Sequence, residues 1–246
     1  MGKGKIVGFD RTLKLEWIDK AAELAMQGYS PDEINQRLEE FLLDQIKGDQ
    51  ARRKTRTVLL AVWAKTRQEL LPFRADAFEL LNGVDVDNRI AIHWGMSMAV
   101  HPFFGHVAGI IGRLLNLQGT ASNTEVQRRV RETYGERQTV SRAVQRLLRT
   151  FVFWNVLADT SKQSVYAPCP KIGINESRLI CWLTEAFLYA TESSSGALNG
   201  ILVSPIFFPF SLNNTSSRDL SLSGRLEIVR HGLDEDLVML RKPNNG

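Results

Sequence analysis

Residues 122–167 run SNTEVQRRVRETYGERQTVSRAVQRLLRTFVFWNVLADTSKQSVYA. Ser122-Asn123-Thr124-Glu125 has the form of a capping box, in which a hydroxyl accepts from the amide three residues on and a carboxylate reaches back. A helix is therefore expected to start at Asn123. Val126, Val130 and Tyr134 give it one apolar stripe, and Gly135 ends it. A second helix is expected from Gln138-Thr139 to about Phe151, burying Val140, Val144, Leu147 and Leu148. Two helices across a short glycine-containing turn are a helix-turn-helix. Phe153–Ala158 and Ser164–Ala167 then make two short apolar runs around polar Asp159–Gln163, a small hairpin or wing.

On the second helix Ser141, Arg142, Gln145, Arg146 and Arg149 fall away from the apolar stripe. A recognition helix needs such a face, because arginine pairs with guanine edges, glutamine with adenine, and short hydroxyls reach phosphate or base. Arg128 and Arg129 on the first helix, Arg137 in the turn, Gln138 and Thr139 at the second helix start and Lys162 at the wing tip complete the expected surface. Gln138 and Thr139 have the alternative of serving only as a helix cap.

Charge is concentrated there. The formal net charge of the chain is +4, yet Glu125 to Thr150 alone holds seven arginines against three glutamates. A second patch, Ala51 to Arg67, holds six basic residues and no acidic one, with Arg52, Arg53, Lys54 and Arg56 in its first turns. Helix dipoles disfavour cations at that end, so the cluster is expected to meet phosphate; a solvated helix face is the alternative.

Outward from this segment the pattern is helical. The first ten residues are expected to be a flexible lead, followed by a helix from Leu13 to Met26 ending at Gly28. Ser30-Pro31-Asp32-Glu33 restarts the chain as a capping box with proline in the first turn, and Ile34, Leu38, Phe41 and Leu42 share one stripe. A basic helix is expected from Asp49 to Leu70, stopped by Pro72, then a short one over 73–83. Asp85 to Leu117 is a long apolar segment. His93, His101, Pro102, His106 and Arg113 interrupt it, so it is expected as a buried core helix and not as a membrane span. Ile174 to Ala190 predicts an amphipathic helix. Pro205 and Pro209 forbid a continuous helix over 198–210. Leu226–Val229 and Leu237–Leu240 predict a hairpin across His231–Asp234, after a loop at 213–217 and before a loose tail. The expected architecture is mostly α: a helical domain at 1–118, a winged helix-turn-helix at 119–170, and a helix plus β-hairpin extension at 171–246.

Catalytic signatures are missing. The chain of 246 residues has no P-loop, no dinucleotide glycine fingerprint and no His-Glu-x-x-His pattern. His101 and His106 are five apart with Pro102 between them, which does not stack them on one helical face as metal ligands. Cys169 and Cys181 form neither a disulfide framework nor a zinc spacing, which fits a reducing, cytoplasmic setting. No enzyme activity, metal or cofactor is expected.

Several features in order resemble the BrxA family of the bacterial BREX anti-phage systems. They are a first helical pair around Gly28-Tyr29-Ser30-Pro31-Asp32-Glu33, the basic run Ala51-Arg52-Arg53-Lys54-Thr55, an all-helical middle around Phe103-Phe104-Gly105, and a C-terminal helix-turn-helix. The similarity spans about residues 13–158. It implies a non-catalytic, helical double-stranded DNA binder acting in host defence, in an assembly with a methyltransferase and ATPases. A protein adaptor and a winged-helix transcriptional regulator are the alternatives.

Overall fold

Six helices lead into the segment quoted above: Leu15–Met26 (α1), Pro31–Leu42 (α2), Asp49–Trp63 (α3), Leu71–Gly83 (α4), Arg89–Val100 (α5) and Pro102–Gln118 (α6). They come from a computed structural model that describes residues 5–191, 193, 195–213, 224–231 and 235–241; over these the chain is mostly helical with small sheets. The capping box at α2 is complete, with Glu33 N–H donating to the Ser30 hydroxyl and the Glu33 carboxylate accepting from Ser30 N–H at 2.8 Å.

Three expectations for this half need correction. α3 ends at Trp63, seven residues before Leu70, and Pro72 sits in the first turn of α4 instead of stopping α3. Arg74 Nη1 caps the freed carbonyls of Trp63 and Ala64, at 3.0 and 3.4 Å, while Leu70 turns into the core. The apolar segment is two helices bent by 117° at His101-Pro102, because proline removes the amide that would continue α5. No single helix among the described residues is long and apolar enough to cross a membrane. Third, the described part of the lead is not loose. Phe9 is fully buried against the rings of His101 and Phe104.

The quoted segment folds as β1 (Ala121–Ser122), α7 (Asn123–Tyr134), α8 (Gln138–Phe153), β2 (Leu157–Asp159) and β3 (Val165–Pro168). β3 lies between β1 and β2 and is antiparallel to both, with Ala121 opposite Tyr166 and Ala158 opposite Ala167. Gly135, at φ +80°, makes the turn between α7 and α8. Val126, Val130 and Tyr134 of α7 and Val140, Val144, Leu147 and Leu148 of α8 are buried as their spacing predicts. Only half of the second capping box forms. Ser122 Oγ accepts from Glu125 N–H, but the Glu125 carboxylate turns to Gln118 and Arg129.

The C-terminal part adds β4 (Ile172–Ile174), α9 (Ser177–Thr191), β5 (Ser195–Ala197), α10 (Leu198–Leu202), a 3-10 turn at Pro205–Phe207, β6 (Phe210–Leu212), β7 (Leu226–His231) and β8 (Glu235–Leu240). Ile174, expected as the start of a helix, belongs to β4, which pairs in parallel with β6. The hairpin register is Leu226 opposite Leu240 and Val229 opposite Leu237. Its turn at 232–234, residues 214–217 of the expected loop and the tail at 242–246 lie outside the described residues.

One buried core runs from Phe9 to Val238 across the boundaries expected near 118 and 170. Trp94 of α5 is its hub, with the rings of Phe104, Phe151, Trp154, Phe208 and Phe210 all within 6.3 Å of it, centroid to centroid. α9 closes over α5 at Gly95, where a Cβ would fall 2.2 Å from the Trp182 ring.

Candidate nucleic-acid interface

α8 presents a polar stripe because residues 138, 142, 145 and 149 recur every three or four positions, opposite its buried face. Gln138, Thr139, Arg142 and Gln145 are exposed, and no hydrogen bond or ion pair of their side chains occurs among the described residues. The β2–β3 hairpin flanks this stripe through Arg149, whose Nη1 donates to both Asp159 oxygens at 2.9 Å. That carboxylate holds the guanidinium more firmly protonated than usual, against the opposing effect of burial. Lys162 stands exposed in the hairpin tip, fixed by its backbone: Thr160 Oγ1 accepts from Lys162 N–H, and Lys162 C=O accepts from Val165 N–H.

The other expected contact residues have work within the fold. Arg131 donates twice to the Ser141 hydroxyl, at 2.8 and 3.1 Å, and so ties α7 to α8. Arg128 pairs with Glu132 at 3.4 Å and Arg129 with Glu125 at 3.3 Å, each one helical turn apart. Arg146 Nη1 donates to Asp10 C=O at 2.8 Å, and Arg137 Nη2 to Lys5 C=O at 2.8 Å. Arg146 also lies 3.9 Å from the Asp10 carboxylate, whereas Arg137 meets only carbonyls and Arg142 meets no partner among the described residues, so these two still project positive potential from the α8 N-terminal half, with Lys162 at the hairpin.

No protein-family model, curated protein or solved structure matches this chain.

The second basic patch divides. Arg52 and Arg56 turn inward onto Glu39 of α2, with Arg52 Nε at 2.6 Å from Oε1 and Arg56 Nη2 at 3.0 Å from Oε2. Arg56 also donates to the Asn35 carbonyl and side-chain oxygen and is only 9% exposed. Arg53 and Lys54 remain at the surface. α3 packs on α1, α2 and α5, so this patch belongs to a different set of elements from α7 and α8.

Sequence reasoning missed the lead as a neighbour of α8. Asp10 and Arg11 lie more than 130 positions before Arg146 and Thr150. Nothing local in 5–13 signals the pairing, apart from the apolar residues Ile6, Val7, Phe9 and Leu13 among its polar ones. Among the described residues no group of three His, Cys, Asp or Glu side chains is placed to hold a metal ion.

Proposed function

We propose that α6, β1, α7, α8 and the β2–β3 hairpin form a winged helix-turn-helix through which this protein binds double-stranded DNA without catalysing a reaction. The observation that carries the reading is the α8 stripe. Gln138, Thr139, Arg142 and Gln145 point outward with no protein partner among the described residues, beside an exposed lysine on the hairpin. Arg52 and Arg56 each meet a carboxylate; Arg142 meets none among the described residues. Helix, short strand, helix, turn, helix, hairpin, with the first strand joining the hairpin edge, is the order in which a winged helix-turn-helix is built, and it supports α8 as the helix entering the major groove. Arg142 and Gln145 would face base edges, Arg137 and Lys162 the phosphates. Arg52 and Arg56 are left out of the interface because Glu39 already holds them. Anti-phage defence, the setting implied by the BrxA resemblance, remains part of the proposal.

Fluorescence anisotropy with a short duplex tests it. Wild type is expected to bind with an affinity that falls steeply as salt rises, because each neutralised phosphate releases counterions. Arg142→Glu combined with Gln145→Glu should weaken binding by about a hundredfold, that is about 3 kcal/mol. Its circular dichroism should be unchanged, since both side chains are exposed. Lys162→Ala should lower the slope against salt by about one phosphate. Equal affinity of the double variant and wild type, or no duplex binding by wild type at low salt, overturns the proposal and leaves a protein-docking role for this face.

A further inference from the structure

Away from the α8 stripe, a cleft of about 660 Å³ opens where the lead crosses the bend between α5 and α6. Its walls come from the lead at 5–8, the bend, one side of α6, the end of α9 and the Ser204–Ile206 turn. The size lies within the range of small-molecule sites, which is several hundred Å³.

Its electrostatics are one-sided. Lys5, Arg67 and Arg113 line it, and no aspartate or glutamate is among the lining residues. Arg67 is partly compensated by Glu69 at 3.2 Å and donates to Ala99 C=O at 3.3 Å. Lys5 and Arg113 side chains meet no partner among the described residues. Two imidazoles face the same space. His101 and His106 line it with their rings, while the Nε2 of each is buried behind the wall with no hydrogen-bond partner. Burial, with the Arg67 charge adding to it, pushes His101 down to about 4; burial, then Arg113 and Lys5, lowers His106. Both are thus neutral at neutral pH and leave the cations to set the charge of the cleft. Lys5 and Arg113 are thus two cations without a carboxylate on one cavity wall, with Arg67 behind them, a setting that favours an occupant of opposite charge. α6 leaves room for it: at Gly109 a Cβ would meet nothing nearer than Arg113 Nη1 at 3.8 Å. Val100 and Phe187 add apolar wall.

We infer that this cleft binds a small phosphorylated ligand of about nucleotide size, its phosphate held by Lys5 and Arg113, with Arg67 and the two imidazole rings beside them and its body against Val100 and Phe187. The enclosure by five parts of the chain favours a discrete small molecule over a polymer backbone. Because Lys5 also gives its carbonyl to Arg137, the occupant would sit one residue from the start of α8. The ligand site stands without the DNA reading, and its test contains no protein partner.

Isothermal titration of the full chain with inorganic phosphate, AMP and ATP, alongside the ring resonances of His101 and His106 by NMR, tests it. A nucleotide is expected to bind saturably and to shift both histidines. Arg113→Glu should weaken binding by about tenfold or more, and Gly109→Leu, which fills the cavity, should abolish it. Lys5→Glu guards against a folding artefact, since that residue is exposed and only its backbone is used in the fold; it should weaken binding with an unchanged melting profile. No saturable binding of any of the three probes overturns the inference. So does binding indifferent to all three substitutions, or a shift of the two histidines by duplex DNA when no small phosphate binds.

Discussion

Glu39 decides what two of the basic side chains on α3 can do. Its two carboxylate oxygens take Arg52 and Arg56, at 2.6 and 3.0 Å, in a setting where the arginine side chains are only 12% and 11% exposed. Removing it leaves two mostly buried guanidiniums facing each other, and Glu39→Ala is expected to cost about 2–3 kcal/mol, at or below the low end for a buried pair because Glu39 itself is partly solvated. Urea unfolding checks this. Arg53→Ala on the solvent side of the same helix should change the unfolding free energy by less than about 0.5 kcal/mol. A Glu39→Ala protein as stable as wild type would show that the cluster is not structural. The sequence shows six basic residues without an acid over 51–67, but the acid that neutralises two of them is on the preceding helix. Contact across helices is not written in linear spacing.

At the scale of elements, the lead and α8 hold each other. Leu13 N–H donates to Thr150 Oγ1 at 2.9 Å, and the Thr150 hydroxyl donates to Arg146 C=O at 3.0 Å. Thr150 is fully buried, so Thr150→Val keeps shape but orphans the Leu13 amide, at a cost of about 1–3 kcal/mol. Hydrogen exchange of the Leu13 amide should accelerate in that variant and be restored in Thr150→Ser; exchange unchanged by Thr150→Val would refute the tie. The α7–turn–α8 unit was legible, down to its buried positions, because local capping, a glycine in the turn and a 3.6-residue period all agree there. The break between α3 and α4 was not. Leu70 and Pro72 fit more than one element, and the carbonyls freed at the end of α3 are met by Arg74, a side chain of the following helix.

Across the whole molecule, three histidines make stability depend on pH. His93 is fully buried and donates Nε2–H to Asp19 Oδ1 at 3.1 Å; burial lowers it despite that carboxylate. His101 and His106 are lowered in the same direction. Unfolded, each takes a proton near 6.5; folded, His101 does so only at about 4. Between those values the unfolded chain binds more protons, so stability is full above about pH 6.5 and falls as pH drops. His101 alone should remove about 2 kcal/mol by pH 5. Urea midpoints at pH 7.5 and 5 measure it, and His101→Gln should reduce the loss; a midpoint that does not fall at pH 5 would contradict the assignment. These histidines sit in the core that links the lead, α5, α6 and α9, which is also where sequence and structure part. Period, caps and prolines by themselves determined the mostly helical class, the two helices and hairpin of the quoted segment, and the C-terminal β-hairpin, since each rests on neighbours within a few residues. The tertiary structure alone decided that the lead lies along α8, that Arg52, Arg56 and Arg146 are engaged while Arg142 is not, and that a cationic cleft opens beside His101. Those outcomes depend on which charges and voids meet after distant segments pack, and burial changes the energy of a charge far more than its place in the chain does.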